Sequence, residues 1–295
     1  MIEHQYGDVC YLQFDHLRQF SALTHGIFTR TGGYSETPYQ SLNTSRLKDS
    51  VDNVVRNRQL ALEALAIPTI PCVTLWQVHS AEVVTFSRQD EWRTDWAQLS
   101  YFQPGWTQPS IHKGDALITQ ERAAALALSF ADCVPIVFYA PDKQVIGIAH
   151  GGWRGTARGI VVATIRAMSE RFDCQPEHIY AGIGPAIGPC CYEVDEGVRE
   201  IFQGQAAFED LPTHEEYRGI VRESAVFSTQ QLAERSSLRL DLQQTNRNQL
   251  LMAGVRAEQI EVMEICTSCN SERFFSHRAE HGQTGRFAVI MALEP

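Results

Sequence analysis

The sequence predicts a mixed α/β (α+β) fold in one domain spanning residues 1–295, and three observations predict it. Strand-length apolar runs lie beside one another as well as between helical stretches, so neighbouring strands and crossover helices share sheets. No internal repeat, low-complexity run or Pro/Gly/Ser linker divides the chain. The composition, 44% hydrophobic and 20% charged, is that of a folded globular protein with a large core.

The elements follow in order. A helix is expected over 51–65, where Val54, Val55, Leu60, Leu62 and Leu65 recur among Asn, Arg and Glu. A strand follows at 72–78. The stretch 87–112, with Trp92, Trp96 and Trp106, lacks periodicity and reads as a surface loop or insertion. Strands are expected at 124–130, 135–139 and 145–149, then a helix over 156–172 and a strand at 178–183. A long helix is expected over 228–253, stopped by Gly254. Strands at 260–265 and 287–293 complete the pattern.

Lys plus Arg number 25 against 35 Asp plus Glu, a net charge of −10, which argues against a protein that tracks nucleic-acid phosphates. The longest apolar stretch, 123–131, is interrupted by Ser129 and is far shorter than the ~18 residues of a membrane span. Residues 1–8 lack the basic and apolar regions of a secretory signal, so the expected location is the cytoplasm. Eight scattered cysteines then read as thiols rather than a disulfide framework.

Three potential ligands fall at predicted strand ends: His79 closes TLWQVH, Cys133 follows ALALSFAD, and His150 closes VIGIAH. Two imidazoles and a thiolate make a three-ligand set for zinc, with the fourth tetrahedral position open to water or substrate. On spacing alone, two satisfied core histidines and a buried thiol are the commoner arrangement. The turn from Gly151 to Gly155, with Gly152 and Arg154, leads from a strand into a helix and can point backbone N–H groups at an anion; it serves equally as a tight turn. Arg58, Arg278 and Arg286 are further anion-clamp candidates. Cys266 and Cys269 have C-x-x-C spacing but no second such pair, and Cys190 with Cys191 read as packing residues. His214-Glu215-Glu216 matches half of a deaminase zinc motif whose Pro-Cys-x-x-Cys half is missing.

HGIFTRTGGYS (25–35), SLN (41–43), QVHS (77–80), GDALIT (114–119), ADCVPI (131–136), AHGGWRGTARGI (149–160), AGIGPAIGPCCYEV (181–194) and FFSHR…TGR (274–286) occur in order over most of the chain. Together they resemble the laccase-domain, or purine nucleoside phosphorylase, family, formerly labelled multicopper polyphenol oxidase. The resemblance implies that family's own cysteine-hydrolase-like fold and a zinc site at His79, Cys133 and His150, with copper also claimed. It implies phosphorolysis of adenosine, inosine, guanosine or methylthioadenosine and hydrolytic deamination of adenosine, and some members are linked to peptidoglycan-precursor editing. The segment 44–51, TSRLKDSV, departs from the family pattern of a Gly and a His followed by an acidic pair.

From this reading His79, Cys133 and His150 are the expected metal and catalytic residues, with Asp132 as proton shuttle. Arg58, Gly152, Arg154 and Arg278 are expected to hold substrate or phosphate. The expected partners are purine nucleosides and phosphate, with no nucleic acid and no membrane, and the chain is expected to be a monomer. Two other chemistries stay open: Cys133 as a nucleophile with His150 or His79 as base, and copper oxidation of polyphenols. The latter calls for many paired histidines, yet no two of the ten form His-x-His. A metal- or redox-sensing protein built on Cys266 and Cys269 is the reading from outside catalysis.

Overall fold

The computed structural model describes residues 1–46, 49–88, 112–210, 214–232 and 235–294. Two six-stranded sheets carry the fold. The first comprises β1 (Ile2–Tyr6), β2 (Val9–Gln13), β3 (Leu23–Phe28), β4 (Cys72–Val73), β7 (Ala125–Phe130) and β14 (Phe287–Leu293), in spatial order β1-β2-β3-β14-β7-β4. The second comprises β5 (Val83–Thr85), β6 (Ala116–Thr119), β8 (Val134–Ala140), β9 (Val145–Gly151), β10 (Tyr180–Ile183) and β13 (Ile260–Val262), in order β13-β10-β8-β9-β6-β5. A hairpin of β11 (Phe227–Leu232) and β12 (Arg235–Leu240) stands apart. The helices are α1 (Val51–Ala64), α2 (Trp153–Ala157), α3 (Ile160–Phe172), α4 (Glu196–Phe202), α5 (Arg218–Ser224) and α6 (Leu242–Met252).

Side-chain alternation along the strands explains how these elements stack. In β7, Leu126, Leu128 and Phe130 face Val137, Tyr139, Ile146 and Ile148 of the second sheet, and Phe287, Val289 and Met291 of β14 join them. The alternate residues of the first sheet, Ala125, Ala127, Ala288 and Ile290, face Ala61 and Leu62 of α1. Ile136, Phe138 and Ala149 of the second sheet meet Ile160, Val161, Ile165 and Met168 of α3 and Leu242 and Leu250 of α6. The result is a helix–sheet–sheet–helix stack. Each large apolar side chain buried in it contributes about 1.5–3 kcal/mol.

The strand expectations at 124–130, 135–139, 145–149 and 287–293 are met within a residue or two. The helix expected over 228–253 is instead the β11–β12 hairpin followed by α6. Asp241 begins α6 by accepting the Gln244 N–H at 2.9 Å, and Leu238 and Leu240 alternate with period two before it. The helix expected over 156–172 is broken at Gly159, which has φ +81°. The run at 72–78 is a strand only at Cys72–Val73. Most of the loop expected at 87–112 lies outside the described residues. No described helix is long and apolar enough to cross a membrane.

Candidate active site and metal centre

The chain passes from the first sheet to the second twice in ways that matter here: through Ala131-Asp132-Cys133, between β7 and β8, and through the loop between β4 and β5 that carries His79. His150, near the end of β9, shares the inter-sheet alternation of Ile146 and Ile148, so its ring projects between the sheets where they part and lies 5.5 Å from the Phe130 ring. Topology therefore delivers three distant residues to one place. Ligand atoms of His79, Cys133 and His150 lie within 4.8 Å of one another, and the two imidazoles meet edge-on at 5.0 Å.

Asp115 orients this centre. Wholly buried, it accepts a 2.9 Å hydrogen bond from Nδ1 of His150 through Oδ1. Its Oδ2 accepts from the Ser80 N–H at 2.6 Å, the Ser80 hydroxyl at 2.8 Å and the Val78 N–H at 3.2 Å. One carboxylate thus fixes the tautomer of His150, leaving Nε2 for a ligand, and pins the loop on both sides of His79. Burial disfavours its charge, but the bonds to His150 and Ser80 outweigh this and hold its pKa below the usual carboxylate value.

His79 has φ +60°, a conformation a non-glycine residue adopts only when its surroundings enforce it. Besides the Asp115 bonds to Val78 and Ser80, the buried Arg158 holds it: its guanidinium donates to the His79 carbonyl at 2.6 Å, pairs with Asp210 at 2.8 Å and stacks 3.6 Å over the Phe208 ring. Burial alone would push the Cys133 thiol up, yet the neighbouring His150 and His79 bring it down to about 6. Burial works against a charge on His150 as well, but Cys133 and Asp115 raise it to about 10. Without a cation between them, the pair favours thiolate and imidazolium.

The trio opens into a cleft of about 760 Å³. Arg58, Arg278 and Arg286 line it, as do Asp132, Trp76 and Tyr192. Asp132 is held by the Thr267 hydroxyl and the Arg278 N–H, each at 2.7 Å; a carboxylate oxygen can accept more than one hydrogen bond, so acceptor capacity remains. Gly152 abuts the trio: a Cβ there would stand 2.9 Å from the Cys133 Sγ and 3.1 Å from the His79 ring. Arg154 does not line the cleft; it is exposed on α2, its guanidinium 4.8 Å over the Trp153 ring. His214 lies elsewhere, against Tyr217. Cys190, Cys191, Cys266 and Cys269, which the sequence left as two unrelated pairs, converge into a second cluster.

Sequence reasoning missed Asp115 and Arg158 as parts of the site. An acidic residue opening the apolar run ALIT was the available signal for Asp115, because an unpaired buried carboxylate is costly. Nothing short of the fold shows that Arg158 reaches His79.

The fold and site define a mixed-sheet α/β protein with a His/Cys/His group able to hold a metal, set in an arginine-lined cleft. Residues 24–294 match the family model described as multi-copper polyphenol oxidoreductase laccase. The chain is 40% identical over 275 residues to the purine nucleoside phosphorylase YlmD of Geobacillus stearothermophilus, covering 92% of this chain and 90% of that protein. It is 33% identical over 276 residues to a purine nucleoside phosphorylase of Bacteroides thetaiotaomicron, covering 93% of each. The crystal structure of YlmD from Geobacillus stearothermophilus superposes with a TM-score of 0.81 at 35% identity, covering 100% of this chain and 99% of that one. The chain belongs to this laccase-type family.

Proposed function

We propose that the cleft is the active site of a zinc-dependent purine nucleoside enzyme. Its reactions are phosphorolysis of adenosine, inosine, guanosine and methylthioadenosine, and hydrolytic deamination of adenosine. One observation carries the reading: an oriented His79, Cys133 and His150 set opens into a cleft of about 760 Å³ that also presents four arginines, Arg46, Arg58, Arg278 and Arg286. The substrate class is supported by the names of the relatives above.

The donor set fits zinc, since one soft thiolate and two imidazoles are typical catalytic zinc ligands. Zinc held by His79, Cys133 and His150 would supply a Lewis acid that lowers the pKa of water toward neutrality. Everything else falls to the chain. Arg58 and Arg278 hold phosphate beside the ribose, and Arg286 adds positive charge at the cleft wall. Trp76 and Tyr192 offer faces against which a purine can stack. Asp132 accepts or returns the proton at the cleft wall, and Asp115 keeps His150 in its working orientation.

The test is adenosine incubated with and without phosphate, alongside Cys133→Ala. The expected products are inosine in both conditions and adenine only with phosphate, with both lost in the variant together with one metal equivalent. Undiminished turnover by Cys133→Ala would overturn the reading.

The Cys133–His150–Asp115 alignment favours one alternative, a cysteine-nucleophile hydrolase acting on peptidoglycan precursors, because the same three groups form a nucleophile, base and orienter. A muropeptide substrate that protects Cys133 from iodoacetamide and is cleaved by metal-free protein would establish it. Cleavage that stops on chelation would reject it.

A further inference from the structure

The turn after β10 and the turn after β13 meet away from the His79 centre, and each brings a pair of cysteines. Cys190 and Cys191 come from the first, Cys266 and Cys269 from the second, and the four Sγ atoms all lie within 4.8 Å of one another. Cys269 Sγ is 3.5 Å from that of Cys190 and 3.4 Å from that of Cys191. Four sulfurs bound at about 2.3 Å around a tetrahedral metal are roughly 3.8 Å apart, so the cluster has the dimensions of such a shell. All four thiols are free.

Hydrogen bonds around the cluster hold its turns in place. The Gly188 N–H donates to the Cys266 Sγ at 3.2 Å and so fixes that sulfur against the turn after β10. Arg239 donates to the Cys190 carbonyl at 3.4 Å and Arg278 to the Cys191 carbonyl at 3.5 Å. These bonds hold the backbone that carries Cys190 and Cys191.

We propose that Cys190, Cys191, Cys266 and Cys269 form a closed tetrathiolate site for a tetrahedral divalent metal, zinc or iron, separate from the His79–Cys133–His150 centre. With four protein ligands it has no open position, so its role is to staple two turns. Those turns carry parts of the cleft wall: Ile187 and Tyr192 follow β10, and Thr267, between two of the cysteines, holds Asp132. Binding replaces four S–H protons with one metal ion and requires no oxidant.

The test is metal content and Co²⁺ spectroscopy of reduced protein. Wild type is expected to hold about two metal ions per chain, while Cys133→Ala and Cys269→Ser each hold about one. Cys133→Ala should still give the intense thiolate-to-cobalt charge-transfer bands of a four-sulfur site, and Cys269→Ser should lose them. A visible iron–thiolate chromophore in purified protein identifies iron, and a colourless two-zinc protein identifies zinc. Should Cys269→Ser fail to fold, Cys190→Ser and Cys191→Ser are read the same way. Wild type with one metal, removed entirely by Cys133→Ala, would overturn the proposal. So would a Cys190–Cys269 or Cys191–Cys269 disulfide in protein kept free of oxygen. Loss of the nucleoside activity with both metals in place would count against the proposed function and leave this site standing.

Discussion

Asp115 and His150 are joined by a 2.9 Å hydrogen bond in the protein interior, and the free end of the same carboxylate holds the loop bearing His79. In Asp115→Asn one face of the amide can still accept from His150, but its NH₂ then confronts the N–H donors of Val78 and Ser80. The variant should bind metal about 10–100-fold more weakly. Competition with a chromophoric chelator measures this, and an unchanged affinity would show that Asp115 merely packs.

Gly152 provides a purely local test. Its φ of −68° and ψ of 164° suit alanine, so Gly152→Ala introduces no backbone strain, only a methyl group against Cys133 and His79. Turnover should fall roughly 100-fold with little loss of thermal stability. Steady-state kinetics and a melting curve on the same preparation separate the two effects.

Arg158→Met should remove the donor to the His79 carbonyl and cost about 1–3 kcal/mol of stability. Arg158→Lys should recover only part of this, since a lysine cannot serve His79 and Asp210 as a fork. Asp210→Ala should cost less than 1 kcal/mol, because Asp210 is exposed. Urea unfolding distinguishes the three; equal losses in all would place the importance in the ion pair instead.

The acid side of the stability curve should report His25. Burial lowers its pKa from 6.5 to about 3, and its Nε2 accepts from the Phe14 N–H at 2.9 Å, so the fold requires the neutral ring. The unfolded chain takes up this proton first as pH falls. The contribution of His25 is therefore whole above about 6.5 and is lost as pH drops from there toward 3, at on the order of 1 kcal/mol per pH unit. His25→Gln keeps an acceptor and does not titrate, so the gap between the two proteins should narrow or reverse over that range. Parallel curves in urea titrations from pH 7 to pH 4 would refute this.

Much of the stack was legible because its central strands are buried and strongly apolar: 287–293 was readable to the residue. β1 was not, since IEHQY at a sheet edge is mostly exposed and carries no apolar run. The hairpin at 227–240 was hidden by leucines and glutamines that also suit a helix, and only pairing of its two strands decides the matter. At the site, His79, Cys133 and His150 were visible as chemistry-bearing residues at predicted strand ends, although the strand before His79 ends at Val73. Asp115 and Arg158 were not, because their roles depend on which loops they reach across space. The two cysteine pairs stayed unrelated for the same reason: 78 residues separate Cys191 from Cys269.

The position of β14 has a temporal consequence. It lies between β3 and β7, yet it is synthesised long after both. Until it leaves the ribosome, the first sheet exists as two halves with nothing between them, and β7, which leads directly into Cys133, has an unpaired edge. Contacts this distant in sequence form slowly, because the intervening chain must first be drawn together. The nascent chain would thus close the first sheet beside the Cys133 crossing only after β14 has been made, later than any other strand of that sheet.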